Sequence, residues 1–249
     1  MNRHLSIALA LLCTSAFPLR AAIIWNGSPT GADDTPGRVF GNASTECPPP
    51  GSITPVRDDS EYAYVWRYSK PTAPTSYRCE SRNIRVNGYA YKGFTKGKTF
   101  YIGWGSKLKK VDGGQYGDWV IFQWKSYGNG STQNYPLLMT AVAGKVKLIY
   151  VNTSGAWQTI WEAKTDDNSW RDYVLGIHLS DNATTGWVEL YVDGVQQEIG
   201  GRLRFPARTL DVSNEPKWGA YNRDQPGHEM EQLIANPRVA TTLQDLVKP

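Results

Sequence analysis

The chain is short of histidine, cysteine and charge. Its 249 residues include three His and three Cys, and 20% are charged. Beyond the N-terminal segment only His178 and His228 remain, far apart and without paired-His spacing. A His-rich zinc or copper site is therefore excluded. No Gly-x-Ser-x-Gly elbow occurs, which excludes an α/β-hydrolase esterase. The Glu-x-Asp-x-x-Glu strand of some sandwich glycosidases is missing as well, and Glu162 and Glu189 are single glutamates of the kind usually left in solvent. The formal charge of +4 becomes +2 once Arg3 and Arg20 are set aside. So small an excess speaks against a nucleic-acid partner. After the N-terminus no apolar run reaches membrane-spanning length, so no membrane partner is expected.

What is present begins with a leader. Arg3 and His4 precede an apolar run over 5–16, and small residues follow to Ala22. Residues 1–22 read as a secretory signal peptide, leaving 23–249 as a single exported, extracellular domain expected to act as a monomer. Cys13 leaves with the leader. Cys47 and Cys79 remain, and two cysteines in an oxidising compartment most simply form one disulfide. Sequons at Asn26, Asn42, Asn129, Asn152 and Asn182 point to a glycosylated eukaryotic protein.

Ten Trp, fourteen Tyr and six Phe, with 24 Gly and 15 Pro, favour many short strands over long helices. Aromatic and β-branched runs separated by turn residues predict strands over 62–68, 77–86, 99–105, 119–124, 137–143, 146–151, 157–163, 173–179, 187–192, 217–223 and 230–235. Turns are marked by Gly113-Gly114, Ala143-Gly144 and Asp193-Gly194. The pattern is that of an all-β sandwich or jelly roll. The stretch 26–55, rich in Gly, Pro, Ser and Asp, reads as loop, and 243–247 as a final turn.

Three of these strands carry polar residues on one face. Alternation puts Arg78, Glu80 and Arg82 together, Gln123 and Lys125 together opposite a core stripe of Val120, Phe122 and Trp124, and Lys217, Gly219, Tyr221 and Arg223 together. Each alone is what the solvent face of a half-buried sheet carries. As neighbours they form a cationic groove holding a phenol, with Glu80 the one opposing charge.

Such a groove suits β-elimination on a uronic-acid polymer, in which the C5 proton is removed and the C4 oxygen expelled. The adjacent carboxylate resists further negative charge, so it must be neutralised by Arg, Gln or another cation. A base then takes the proton, and a Tyr can return one to the leaving oxygen.

Arg78-Cys79-Glu80-Ser81-Arg82 resembles the Arg-x-Glu-x-Arg strand of jelly-roll alginate lyases and heparin lyase I relatives. Val120-Ile121-Phe122-Gln123-Trp124-Lys125 is similar to the strand that ends Gln-x-His in those families. Lys217-Trp218-Gly219-Ala220-Tyr221-Asn222-Arg223 resembles their Lys-x-Gly-x-Tyr strand, and 187–194 their Gly-rich hairpin. The order of the motifs agrees across 62–235, and fungal glucuronan lyases share the architecture.

The resemblance implies a concanavalin-like jelly roll that cleaves an acidic polysaccharide. Tyr221 would be the acid and also the base. Gln123 and Arg82 would neutralise the carboxylate, and Arg78, Lys217 and Arg223 would bind neighbouring acidic sugars, with Glu80 holding the arginines. Lys125 stands where the family has His. Three consequences are open: a lysine base whose pKa is lowered by Arg82 and Lys217, a syn elimination in which Tyr221 is both base and acid and Lys125 stabilises its phenolate, or a lectin-like jelly roll that has lost catalysis. No cofactor is required. The oxygen-rich turns at Asp33-Asp34 and Asp166-Asp167-Asn168 leave room for a structural calcium ion.

Overall fold

The computed structural model describes residues 23–43, 46–58, 62–72, 77–111, 118–128, 135–142, 144–166, 168–222 and 227–246. The proposed leader, Gly113-Gly114, Ala143, Asp167, the Asn129 sequon and Arg223 lie outside them.

Two antiparallel sheets pack face to face. In chain order the strands are β1 (Ile23–Asn26), β2 (Phe40–Asn42), β3 (Ser52–Arg57), β4 (Tyr64–Lys70), β5 (Arg78–Val86), β6 (Tyr89–Ala90), β7 (Thr99–Val111), β8 (Trp119–Tyr127) and β9 (Leu137–Val142). They continue with β10 (Lys145–Val151), β11 (Trp157–Lys164), β12 (Trp170–His178), β13 (Trp187–Val192), β14 (Val195–Gln196), β15 (Phe205–Pro206), β16 (Ser213–Tyr221) and β17 (Met230–Ala240). One sheet runs β14-β13-β12-β7-β17-β4-β3 and the other β11-β10-β9-β8-β16-β5-β2. This is the expected all-β sandwich. A short 3-10 turn, Leu243–Asp245, closes the chain near its expected place.

The aromatic richness goes into the space between the sheets. Trp104 stacks on Phe122 with ring centroids 4.6 Å apart, and Trp218 stacks on Trp25 at 5.6 Å. Phe40 sits edge-on to Trp66, and large apolar side chains from both sheets join one buried cluster. Burying each ring removes far more apolar surface from water than an aliphatic residue would.

One expectation needs correction. The 26–55 stretch is not all loop: β2 extends one sheet and β3 the other. Both are the last strands of their sheets, where Pro55 in β3 can lack a donor without breaking an inner ladder. Cys47 and Cys79 are joined by the expected disulfide, which ties the residues before β3 to β5.

Candidate active site

Pairing of three neighbouring strands assembles the site. Between β5 and β16, Arg82 lies opposite Lys217, Glu80 opposite Gly219 and Arg78 opposite Tyr221. Between β16 and β8, Lys217 lies opposite Gln123, Glu215 opposite Lys125 and Tyr221 opposite Val120. The alternate residues Cys79, Trp218, Phe122 and Trp124 enter the core. The polar residues therefore share the outer face, as alternation required.

Val120 departs from the expected core stripe. It packs instead with Leu138, Ile149 and Val151, beside Tyr135 and Tyr221. Irregularities between Val120 and Phe122 and between Trp218 and Tyr221 shift the register there, so parity changes along β8. Gly219 lies inside the second irregularity at φ 144°, and a Cβ on it would stand 2.1 Å from the Cys79 carbonyl oxygen. Only glycine fits that approach.

The charge distribution is more balanced than expected. Glu80, 1% exposed, accepts from Gln123 Nε2 at 2.5 Å and from Lys217 Nζ at 3.1 Å. Gln123 and Lys217 are each 3% exposed. Lys217 Nζ also donates to Glu46 Oε2 at 3.2 Å, and Arg78 Nη1 donates to the same oxygen at 2.8 Å. Arg82 lies 3.8 Å from the other Glu46 oxygen and 3.7 Å from Glu215. Glu46 and Glu215 thus join Glu80 against Arg78, Arg82, Lys125 and Lys217. Arg78 is held chiefly by Glu46, with Glu80 no closer than 3.9 Å, whereas Arg82 is held first by Tyr127 and then by Glu215 and Glu46.

β8 and β16 each bring a phenol to this face. Tyr221 lies beside Tyr77, with the Arg78 guanidinium 4.7 Å from its ring centre. Tyr127 accepts a hydrogen bond from Arg82 Nη1 at 2.9 Å, and Lys125 Nζ sits 4.9 Å from its ring centre while donating to the Ser126 carbonyl. Burial, then Lys217, bring the Lys125 pKa down to about 8, against the opposing pull of Glu215, Glu46 and Glu80. Burial above all, with Glu215, pushes the Tyr127 phenol well up, so it stays protonated. Burial works against the Glu46 carboxylate, but Lys217 and Arg78 outweigh it and hold its pKa below the usual range.

Tyr221 and Lys125 are not brought together. Lys125 lies five residues along β8 from Val120, the register partner of Tyr221, a separation of roughly 16 Å at strand rise. Tyr221 occupies one end of the polar strip, Lys125 with Tyr127 the other, and Gln123, Lys217 and Glu80 the middle. At the Tyr127 end an open cleft of about 360 Å³ is lined by Asn42, Arg82, Asn83, Lys92, Tyr127 and Glu215. Asn42 is the register partner of Arg82. A larger hollow of about 560 Å³ near Phe40 and Ile53 has Arg85 as its one charged lining residue. It offers no acid or base.

Glu46, Tyr127 and Glu215 escaped the reading of the sequence. Tyr127 and Glu215 continue the alternation of Gln123-x-Lys125 and Lys217. Glu46 had one signal, its place beside a cysteine that a disulfide would bring to β5.

The remaining candidates fall elsewhere. Glu162 on β11 pairs with Lys145 and Glu189 on β13 with Arg204, in different sheets, so they cannot flank one bond. His178 bonds Thr99 and stacks on Trp187 in the opposite sheet. Asp34 is engaged by Arg38, and among the described residues no cluster of three His, Cys, Asp or Glu could hold a metal ion.

Two antiparallel sheets, one of them bearing an outer strip of acid, amide, cation and phenol, make a jelly roll with one polar face. The profile of the polysaccharide lyase family matches residues 51–234, and the chain belongs to that family of enzymes. Among solved structures it is similar to an endo-β-1,4-glucuronan lyase from the fungus Trichoderma reesei, with a TM-score of 0.65, 14% identity, and coverage of 90% of this chain and 98% of that one. An alginate lyase of polysaccharide lyase family 7 gives 0.51 at 15% identity over 76% and 82% of the two chains. The binding domain of botulinum neurotoxin serotype D gives 0.51 at 10% identity, over 88% of this chain and 47% of that one. At these identities the likeness is one of fold. No curated protein matches the chain.

Proposed function

We propose that this lyase is exported and cleaves a uronic-acid-containing polysaccharide by β-elimination, with Tyr221 as the proton-transfer residue. The observation that carries this reading is the register that sets Arg78, Glu80 and Arg82 beside Lys217 and Tyr221, and Lys217 beside Gln123. The C5–H and C4–O bonds break on neighbouring atoms, so one reaction needs its acid and base within hydrogen-bond reach of the same sugar. Lys125 lies too far along the strip to share a sugar with Tyr221. The Tyr221 hydroxyl therefore gives its proton to the leaving C4 oxygen and takes the C5 proton in its place, as the C4–O bond breaks and the C4–C5 double bond forms. Arg78, over the ring, offsets the negative charge that passes through the phenol oxygen. Gln123, buried with its amide on Glu80, orders the middle of the strip, and Arg82 and Tyr127, with Lys125 beside them, hold the carboxylate of a neighbouring sugar in the cleft.

The test is a panel of glucuronan, alginate, heparin and pectate, followed by the near-ultraviolet absorbance of an unsaturated uronate, with neutral glucans alongside. Unsaturated product from one acidic polymer is expected. Reducing ends released from a neutral glucan, or binding without product, would overturn the reading.

A further inference from the structure

Glu46 reaches the site from outside the three strands that build it, and its backbone is fixed on the C-terminal side of its Cα. Its carbonyl accepts from the Glu80 amide at 2.9 Å, and the next residue, Cys47, is bonded to Cys79 of the same strand. The carboxylate so delivered lies between Arg78 and Arg82, four residues apart on β5, and takes a third contact from Lys217. Without it, Arg78 would lose its carboxylate partner at 2.8 Å, with Glu80 3.9 Å away and already occupied by Gln123 and Lys217, and Arg82 would rest on Tyr127 and Glu215.

We infer that Glu46 is a positioning residue of the lyase site, a carboxylate pinned by a cystine that sets the guanidinium groups of Arg78 and Arg82 for the uronan. The inference rests on the β-elimination reading of this face. Its effect passes through Arg78 to the Tyr221 ring and through Arg82 to the Tyr127 end. Misplacement of charged groups by about 1 Å can cost up to 100-fold in rate.

The same carboxylate acts on Lys125. The groups facing that lysine are Lys217 and Glu215 from β16, Glu80 and Arg82 from β5, Tyr127 from its own strand, and Glu46. Glu46 favours the lysine cation, so removing its charge lets Lys125 lose its proton at lower pH.

The experiment compares wild type, Glu46→Gln and Glu46→Asp on the polymer that gives product, with thermal melts confirming that each is folded. For Glu46→Gln, kcat is expected to fall roughly 10- to 100-fold, and the pH at which KM begins to rise should move down. Glu46→Asp should restore that pH, because the charge is back, but only part of kcat, because the carboxylate is one methylene short. Unchanged kcat, a faster variant, or a slower one with an unmoved KM–pH curve would overturn the inference. A faster variant would mean that Glu46 competes with substrate. If the wild-type protein forms no unsaturated product, the β-elimination reading has failed, and calorimetric binding of glucuronan then decides the present point. A steeper salt dependence for Glu46→Gln supports it, and an equal slope overturns it.

Discussion

Lys217 Nζ and Glu80 Oε2 lie 3.1 Å apart across neighbouring strands, with both side chains almost sealed from water. A buried pair of this kind contributes little over an apolar pair, yet removing one partner strands the other charge. Lys217→Met should therefore cost about 3–5 kcal/mol in urea unfolding. The double variant Lys217→Met with Glu80→Leu should recover only part of that loss, because the buried Gln123 amide loses its acceptor, while remaining inactive. An equally unstable double variant would show that the pair does more than cancel its own charges.

Tyr221→Phe keeps the ring against Tyr77 and Arg78 and removes one oxygen. Turnover should drop by about 10²–10⁴, the usual share of general acid–base catalysis. KM should hardly change, since the ring remains. Wild-type turnover in this variant would remove the phenol from the reaction.

Lys125 is expected to make binding of the polymer pH-dependent. Its pKa in the folded chain, about 8, lies below its ordinary value of 10.5. Between those values the unfolded chain keeps a proton that the folded one has released, so this lysine makes the fold more stable as pH rises through that window. The same loss of charge weakens the hold on an anionic sugar, so KM should climb above about pH 8. Lys125→Met should show a high KM that is flat across that range. Calorimetry near pH 8 in buffers of different ionisation enthalpy should register proton uptake on binding to wild type and none to the variant.

Gly219→Ala tests the irregularity in β16. The added methyl would meet the backbone of β5 at a φ that side chains avoid. A loss of about 1–3 kcal/mol is expected from the strain, with activity falling further because Tyr221 follows two residues later. A stable, active variant would show that β16 has room to shift.

Much of this architecture was legible in the sequence because period-2 alternation says which residues share a face. It placed Arg78, Glu80, Arg82, Gln123, Lys217 and Tyr221 together, and the pairing agrees. Alternation does not say how far along a strand two residues stand. The separation of Tyr221 from Lys125 is therefore a result of register alone. Nor does it survive an irregularity, which is why Val120 leaves the core stripe for the cluster beside Tyr221. Glu46 was hidden for a third reason: a covalent bond between distant cysteines puts it there, and no local pattern carries that.

If the chain is exported as proposed, Asn42 opposite Arg82 would tie its activity to the cell that makes it. The side chain lines the cleft, and its sequon invites a glycan in any secretory pathway that reads one. A sugar tree rooted there would fill the space proposed for the polymer, whereas Asn26 and Asn182 are exposed and do not line that cleft. Preparations from glycosylating and non-glycosylating hosts should then differ in active fraction, and Asn42→Gln should erase the difference. Peptide mapping of the active fraction should find Asn42 bare. A fully active protein carrying a glycan at Asn42 would mean that the polymer takes another path across the sheet.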